Sequence, residues 1–116
     1  MVRQIIFFRN YFYDFFNQQS PKVQEKIDYV LDMVAFADRI PQQYFKHLEG
    51  TDGLYEIRIQ HGNNAFRIFC CFDEGRVVVL FNGFVKKTDK TPKQDLERAE
   101  RIKQEYFNEK LKNKRK

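Results

Sequence analysis

Apolar residues between positions 23 and 34 fall at Val23, Ile27, Val30, Leu31 and Val34. That spacing puts them on one face of a helix. Ser20 and Pro21 stand just ahead of them. A serine hydroxyl can accept from a first-turn amide, and proline has no N–H to leave unpaired there, so the pair predicts the helix start. The helix has to end before Pro41. From Leu48 the period shortens to two. Tyr55, Ile57 and Ile59 take one side, and Leu54, Glu56, Arg58 and Gln60 the other, which is strand alternation. A second strand is expected over 65–72, with Phe66, Ile68, Cys70 and Phe72 on one face and Arg67 and Phe69 on the other. Asp73-Glu74-Gly75 is a turn, and a valine-rich strand follows over 76–81.

The ends of the chain are read the same way. Ile5 to Phe8 is a short β-prone run, and the aromatic stretch over 10–17 reads as a short helix. Thr91-Pro92-Lys93-Gln94 has the pattern of a capping box, with Thr91 as the cap. Leu96, Ala99, Ile102 and Tyr106 form the stripe of the helix it opens. The expected order is (β)ααβββα: an α+β domain with a small antiparallel sheet and its helices packed on one face. Residues 1–116 form one domain, with 110–116 as a basic, mobile tail.

Composition adds charge to this picture. The chain carries a net +5 with 32% charged residues, and 42% of it is hydrophobic, enough to build a core. A basic balance favours a polyanionic or acidic partner without choosing among nucleic acid, ribosome, membrane surface and acidic protein. Cys70 and Cys71 are adjacent and should point to opposite faces of their strand, so both are read as reduced thiols of a cytoplasmic protein. No apolar run approaches a membrane span, and the start of the chain is too short in apolar residues for a signal peptide.

Strand register then supplies a candidate site. If His61 to Asn64 is a four-residue loop, Gln60 pairs with Ala65 and Arg58 faces Arg67 on one side of the sheet. Facing like charges destabilise a strand pair. Either an acid, Glu56 or Asp52, neutralises them, or the site awaits an external anion; guanidinium forks suit phosphate. A lysine-rich segment over 84–93 follows the third strand and is either a solvated loop or a second basic cluster beside the arginines. Two histidines and two adjacent cysteines do not make a zinc site. There is no phosphate-binding glycine loop, no acidic two-metal centre and no nucleophile elbow. Phosphate chemistry on cationic side chains survives, with no metal and no cofactor. Cleavage of RNA by its own 2′-OH needs a base, a charge stabiliser and a proton donor.

Three strings resemble a known family: residues 48–58 (LEGTDGLYEIR), 65–69 (AFRIF) and 80–88 (LFNGFVKKT). They are similar to the RelE/HigB toxin superfamily, and nearest to the phage Gp49-like HigB branch, over about Leu48 to Ala99. The resemblance implies the toxin of a type II toxin–antitoxin system. Such a toxin is a metal-independent endoribonuclease that cuts mRNA, typically on the ribosome, and is silenced by a cognate antitoxin of the helix-turn-helix, HigA-like kind in a hetero-oligomer. Carried over residue by residue, Arg58, Arg67, Lys86 and Lys87 bind and stabilise the scissile phosphate. Lys46, Phe69, Asn82, Lys90 and Lys93 are assigned to RNA contact. The lysine that some members carry two positions before Arg58 is here Glu56. The tyrosine that some carry near the start of the last helix is here Lys93. Proton transfer therefore falls to His47 or Lys46, unless His47 is a loop or core-edge histidine; His61 reads as a turn residue. The alternatives are a ParE-like, non-enzymatic inhibitor of DNA gyrase and a binding module that has lost catalysis.

Overall fold

The computed structural model describes residues 1–87 and 90–114. Its elements are β1 (Gln4–Phe7), α1 (Tyr11–Phe16), α2 (Pro21–Phe36), β2 (Phe45–His47), β3 (Leu54–His61), β4 (Asn64–Asp73), β5 (Val77–Lys86) and α3 (Lys93–Lys114). The expected start of α2 is present: Ser20 Oγ accepts from the Val23 amide at 3.3 Å, and Pro21 opens the helix. All five residues of its predicted stripe are buried.

The strands form one five-stranded sheet in the order β1-β5-β4-β3-β2. Three features depart from the expected small antiparallel sheet. β1 pairs parallel with β5, so the sheet is mixed. A short strand, β2, pairs antiparallel with β3 and closes one edge. The helices cover both faces. On one side α1 and α2 bury Phe12, Phe15, Ile27 and Val30 against Ile57, Ile59, Ile68 and Leu80. On the other, Ala99 and Ile102 of α3 meet Leu54, Phe69, Val79 and Phe81. The reason lies in β4 and β5, whose side chains are apolar on both faces, so each face exposed to water would cost burial energy of roughly 25 cal/mol per Å². Cys70 and Cys71 fall in the two different cores, as their adjacency predicts, and both are free thiols.

Smaller corrections concern element ends. The β3–β4 turn is two residues, Gly62-Asn63, with His61 paired to Asn64; the predicted Gln60–Ala65 register is unchanged. Gly62 sits at φ 60°, a conformation glycine adopts without strain. α3 begins at Lys93, so Thr91 is not adjacent to its first residue as a cap would be. Positions 110–114, expected to be tail, are the last turn of α3: Lys110 pairs with Asp73 at 2.7 Å and with Glu74 at 3.2 Å, and Lys114 reaches Glu74 at 3.6 Å. The last two residues of the expected tail lie outside the described residues.

Candidate anion-binding site

Antiparallel pairing places side chains in rows across the sheet face that α3 covers in part. Lys46, Glu56 and Phe69 form one row, from β2 to β4. Arg58, Arg67 and Phe84 form the next. Gln60, Ala65 and Lys86 form the third, at the open end. The predicted facing of Arg58 and Arg67 is therefore present. A register irregularity between Ile68 and Cys70 interrupts the β4–β5 ladder beside the first row. There Asn82 reaches α3, its side-chain amide 3.5 Å from the Asp95 carbonyl.

Glu56 is the acid that neutralises the arginines. Its Oε1 lies 3.5 Å from Arg58 Nε and 3.6 Å from Arg67 Nε, and the residue is only 2% exposed. An opposite charge at that separation is worth on the order of 4 kcal/mol at an effective dielectric near 20, before desolvation. Facing like charges on a strand pair cost less, below about 1 kcal/mol. One carboxylate between two guanidiniums is thus enough to let both stand on one face, and it leaves the trio with one net positive charge. Asp52, the other acid considered, pairs instead with Lys103 at 3.5 Å. Arg67 is 7% exposed and donates to the Phe66 carbonyl at 2.9 Å. Burial, and then Arg58 beside it, lower the pKa of its guanidinium, while Glu56 acts the other way.

The bonding of this group is incomplete. Among the described residues, the buried side-chain polar atoms without a hydrogen-bond partner are Glu56 Oε2, Arg58 Nε, Arg67 Nε and Asn82 Oδ1. All four belong to this face. Buried polar atoms are nearly always satisfied, and such a cluster marks a place where stability is not the only constraint. A cleft of about 520 Å³ starts at Arg58 and Arg67 and runs along the edge of β3 past Gln43, Tyr44 and Lys26 of α2. Lys26 and Tyr44 carry no signal in the sequence, because one is an exposed helix lysine and the other lies in a connection. A larger cleft, about 830 Å³, opens between the 50–53 turn and α3. It shares none of the four unpartnered atoms, so the arginine face is the stronger site.

The other predicted residues divide into three groups. Lys86 shares the arginine face, Lys87 follows at the end of β5, and exposed Lys90 and Lys93 lead into α3. Exposed Lys46 stands across from Glu56. Phe69 and Asn82, expected at the RNA, are buried in the free protein: Phe69 stacks on Phe84 at 5.2 Å, and Asn82 ties the sheet to α3. His47 is not brought to the pair. It lies opposite Tyr55, on the α2 side of the sheet, with the two rings 5.1 Å apart. Thr88 and Asp89, inside the basic segment, lie outside the described residues.

The fold is shared with a chain of the archaeal RelE–RelB complex from Pyrococcus horikoshii OT3. The two superpose with a TM-score of 0.52 at 13% identity, over 78% of this chain and 100% of that one. No curated protein matches the sequence. The family model of the phage-derived Gp49-like proteins (DUF891) matches residues 14–104, most of the chain. The protein belongs to that Gp49-like family, a family of RelE/HigB-type toxins.

Proposed function

We propose that this protein is the toxin of a type II toxin–antitoxin pair and an endoribonuclease that cleaves mRNA in the cytoplasm, on the ribosome, by metal-independent attack of a 2′-OH on the adjacent phosphate. The observation that carries this reading is the Arg58–Glu56–Arg67 trio, positively charged overall and incompletely hydrogen-bonded, with Lys86 on the same face. Arg58 and Arg67 hold the phosphate and stabilise the charge that builds on it in the transition state. Lys86, whose ammonium can donate, supplies a proton to the leaving 5′ oxygen, and the proton of the attacking 2′-OH passes to water. Lys87, Lys90, Lys93 and Lys46 guide the RNA backbone as point charges. The partner that silences the site is a cognate antitoxin covering this face.

Expression of the chain alone should arrest growth and fragment mRNA. Arg67→Ala should slow cleavage by about 10²–10³-fold, the usual cost of losing one preorganised charge stabiliser. Primer extension on mRNA from induced cells, with thermal melting of the purified variant as the folding control, measures it. Equal toxicity of the folded Arg67→Ala variant would remove the site from consideration. Growth arrest with intact mRNA and a DNA-damage response would point to gyrase instead.

A further inference from the structure

Glu56 occupies the middle of a site that otherwise holds cations. It is buried, and it faces the Nε atoms of both arginines from one carboxylate oxygen, while its other oxygen has no partner. Nε is the inner corner of a guanidinium. A carboxylate 3.5 and 3.6 Å from both inner corners is an ion-pair partner shared by the two groups, and its charge draws them together. Arg67 Nη1 is held further by the Phe66 carbonyl. The charge balance also fits: two guanidiniums and one carboxylate sum to +1, which one phosphodiester group cancels. Two arginines without the acid would repel each other and splay apart.

We infer that Glu56 is a positioning residue: its buried carboxylate, set between the Nε atoms of Arg58 and Arg67, holds the two guanidiniums as a single clamp for one phosphodiester group. This rests on the RNA-cleaving reading above and deepens it. A carboxylate that served folding alone would leave the handling of phosphate indifferent to its removal once the chain is folded. A positioning carboxylate couples the two, because phosphate supplies the negative charge that the clamp lacks when the acid is gone.

The test compares the wild type with Glu56→Gln and Glu56→Asp. Three quantities are read: the melting midpoint against inorganic phosphate at constant ionic strength, the affinity for an uncleavable 2′-O-methyl RNA oligonucleotide, and the rate of mRNA cleavage in a translating extract. Glu56→Gln should melt lower in chloride and gain more from phosphate than the wild type. It should bind the oligonucleotide at least as tightly, because the site has gained net positive charge, yet cleave at least tenfold more slowly. Glu56→Asp should recover part of that rate. If phosphate raises both midpoints equally, if binding and cleavage fall by the same factor, or if cleavage is unchanged, the inference is overturned. Should Glu56→Gln fail to fold, Glu56→Asp decides by the same split of retained binding from slowed cleavage. The phosphate readout does not depend on RNA cleavage. A wild type that cuts no mRNA sinks the proposed function, while the phosphate readout still decides the role of Glu56.

Discussion

Asp73 shows what a single side chain contributes at the end of the sheet away from the arginines. It closes β4, accepts from the Tyr106 hydroxyl at 2.6 Å and from Lys110 at 2.7 Å, and so pins the C-terminal half of α3. Burial by itself would raise its carboxyl pKa, but the bonds from Lys110 and Tyr106 outweigh that and hold it below the usual range. Burial and the same carboxylate push the Tyr106 hydroxyl well above its own. A depressed carboxyl stabilises the fold above its unfolded pKa, near 3.9, and the contribution is lost as pH falls through the folded value. Asp73→Ala should therefore cost about 1.5–3 kcal/mol at pH 7, and the difference from the wild type should shrink below about pH 4. Urea unfolding across that range measures it; a constant difference at every pH would contradict the assignment. Tyr106 is thereby accounted for as an anchor, far along α3 from the site. The sequence placed it on the apolar stripe, but its hydroxyl partner comes from a distant turn that no helical periodicity reveals.

Among the elements, α1 sits on β5 at a close approach. A Cβ built on Gly83 would lie 2.5 Å from Phe15 Cδ2 and 2.6 Å from its Cγ, so glycine is required there for close approach. Phe15 is itself buried, and Cγ sits at the root of the ring, where little motion is available. Gly83→Ala should cost about 1–3 kcal/mol, a drop of about 4 °C or more in the melting midpoint. It should also disturb the neighbouring Phe84, the cross-strand partner of Arg67. An unchanged midpoint would show that α1 shifts freely on the sheet. Elements with long, strong periods were legible: α2 starts at Pro21 as expected and ends before Pro41, and β3 and β4 fall within a residue of expectation. β2 was not, because it is three residues long, lies on the sheet edge and keeps Lys46 and His47 exposed, so no alternation marks it. The strand expected over 76–81 runs on to Lys86 through Asn82 and Gly83, where the register irregularity opposite β4 and the seat of α1 accommodate them.

Across the whole molecule the sheet divides two cores, and the cysteines report on both. Cys70 lies in the core under α1 and α2, Cys71 in the core under α3. Burial pushes the Cys71 thiol up to about 11 and raises Cys70 well above the ordinary range, so neither is a thiolate at neutral pH. A thiol reagent should therefore leave the native protein unlabelled over hours. In rising urea both cysteines should react at one rate, because the sheet they share must open for either core to be exposed. Mass spectrometry of partially labelled protein reads this directly. Singly labelled chains carrying only Cys71 would mean that α3 detaches as a separate unit.

The sequence by itself determined what local periodicity and register can carry: the amphipathic face of α2, the β3–β4 hairpin, the opposite facing of the two thiols, and the meeting of Arg58 with Arg67. Register is local, since one turn and a two-residue repeat settle which side chains stand opposite. Tertiary structure alone decided the rest. Covering both sheet faces, pairing β1 in parallel with β5, burying Phe69 and Asn82, and turning His47 away all depend on which distant segments come together. So did the choice left open between Glu56 and Asp52. Only the approach of α3 engages Asp52 through Lys103, and only burial makes the Glu56 carboxylate strong enough to hold two arginines at once.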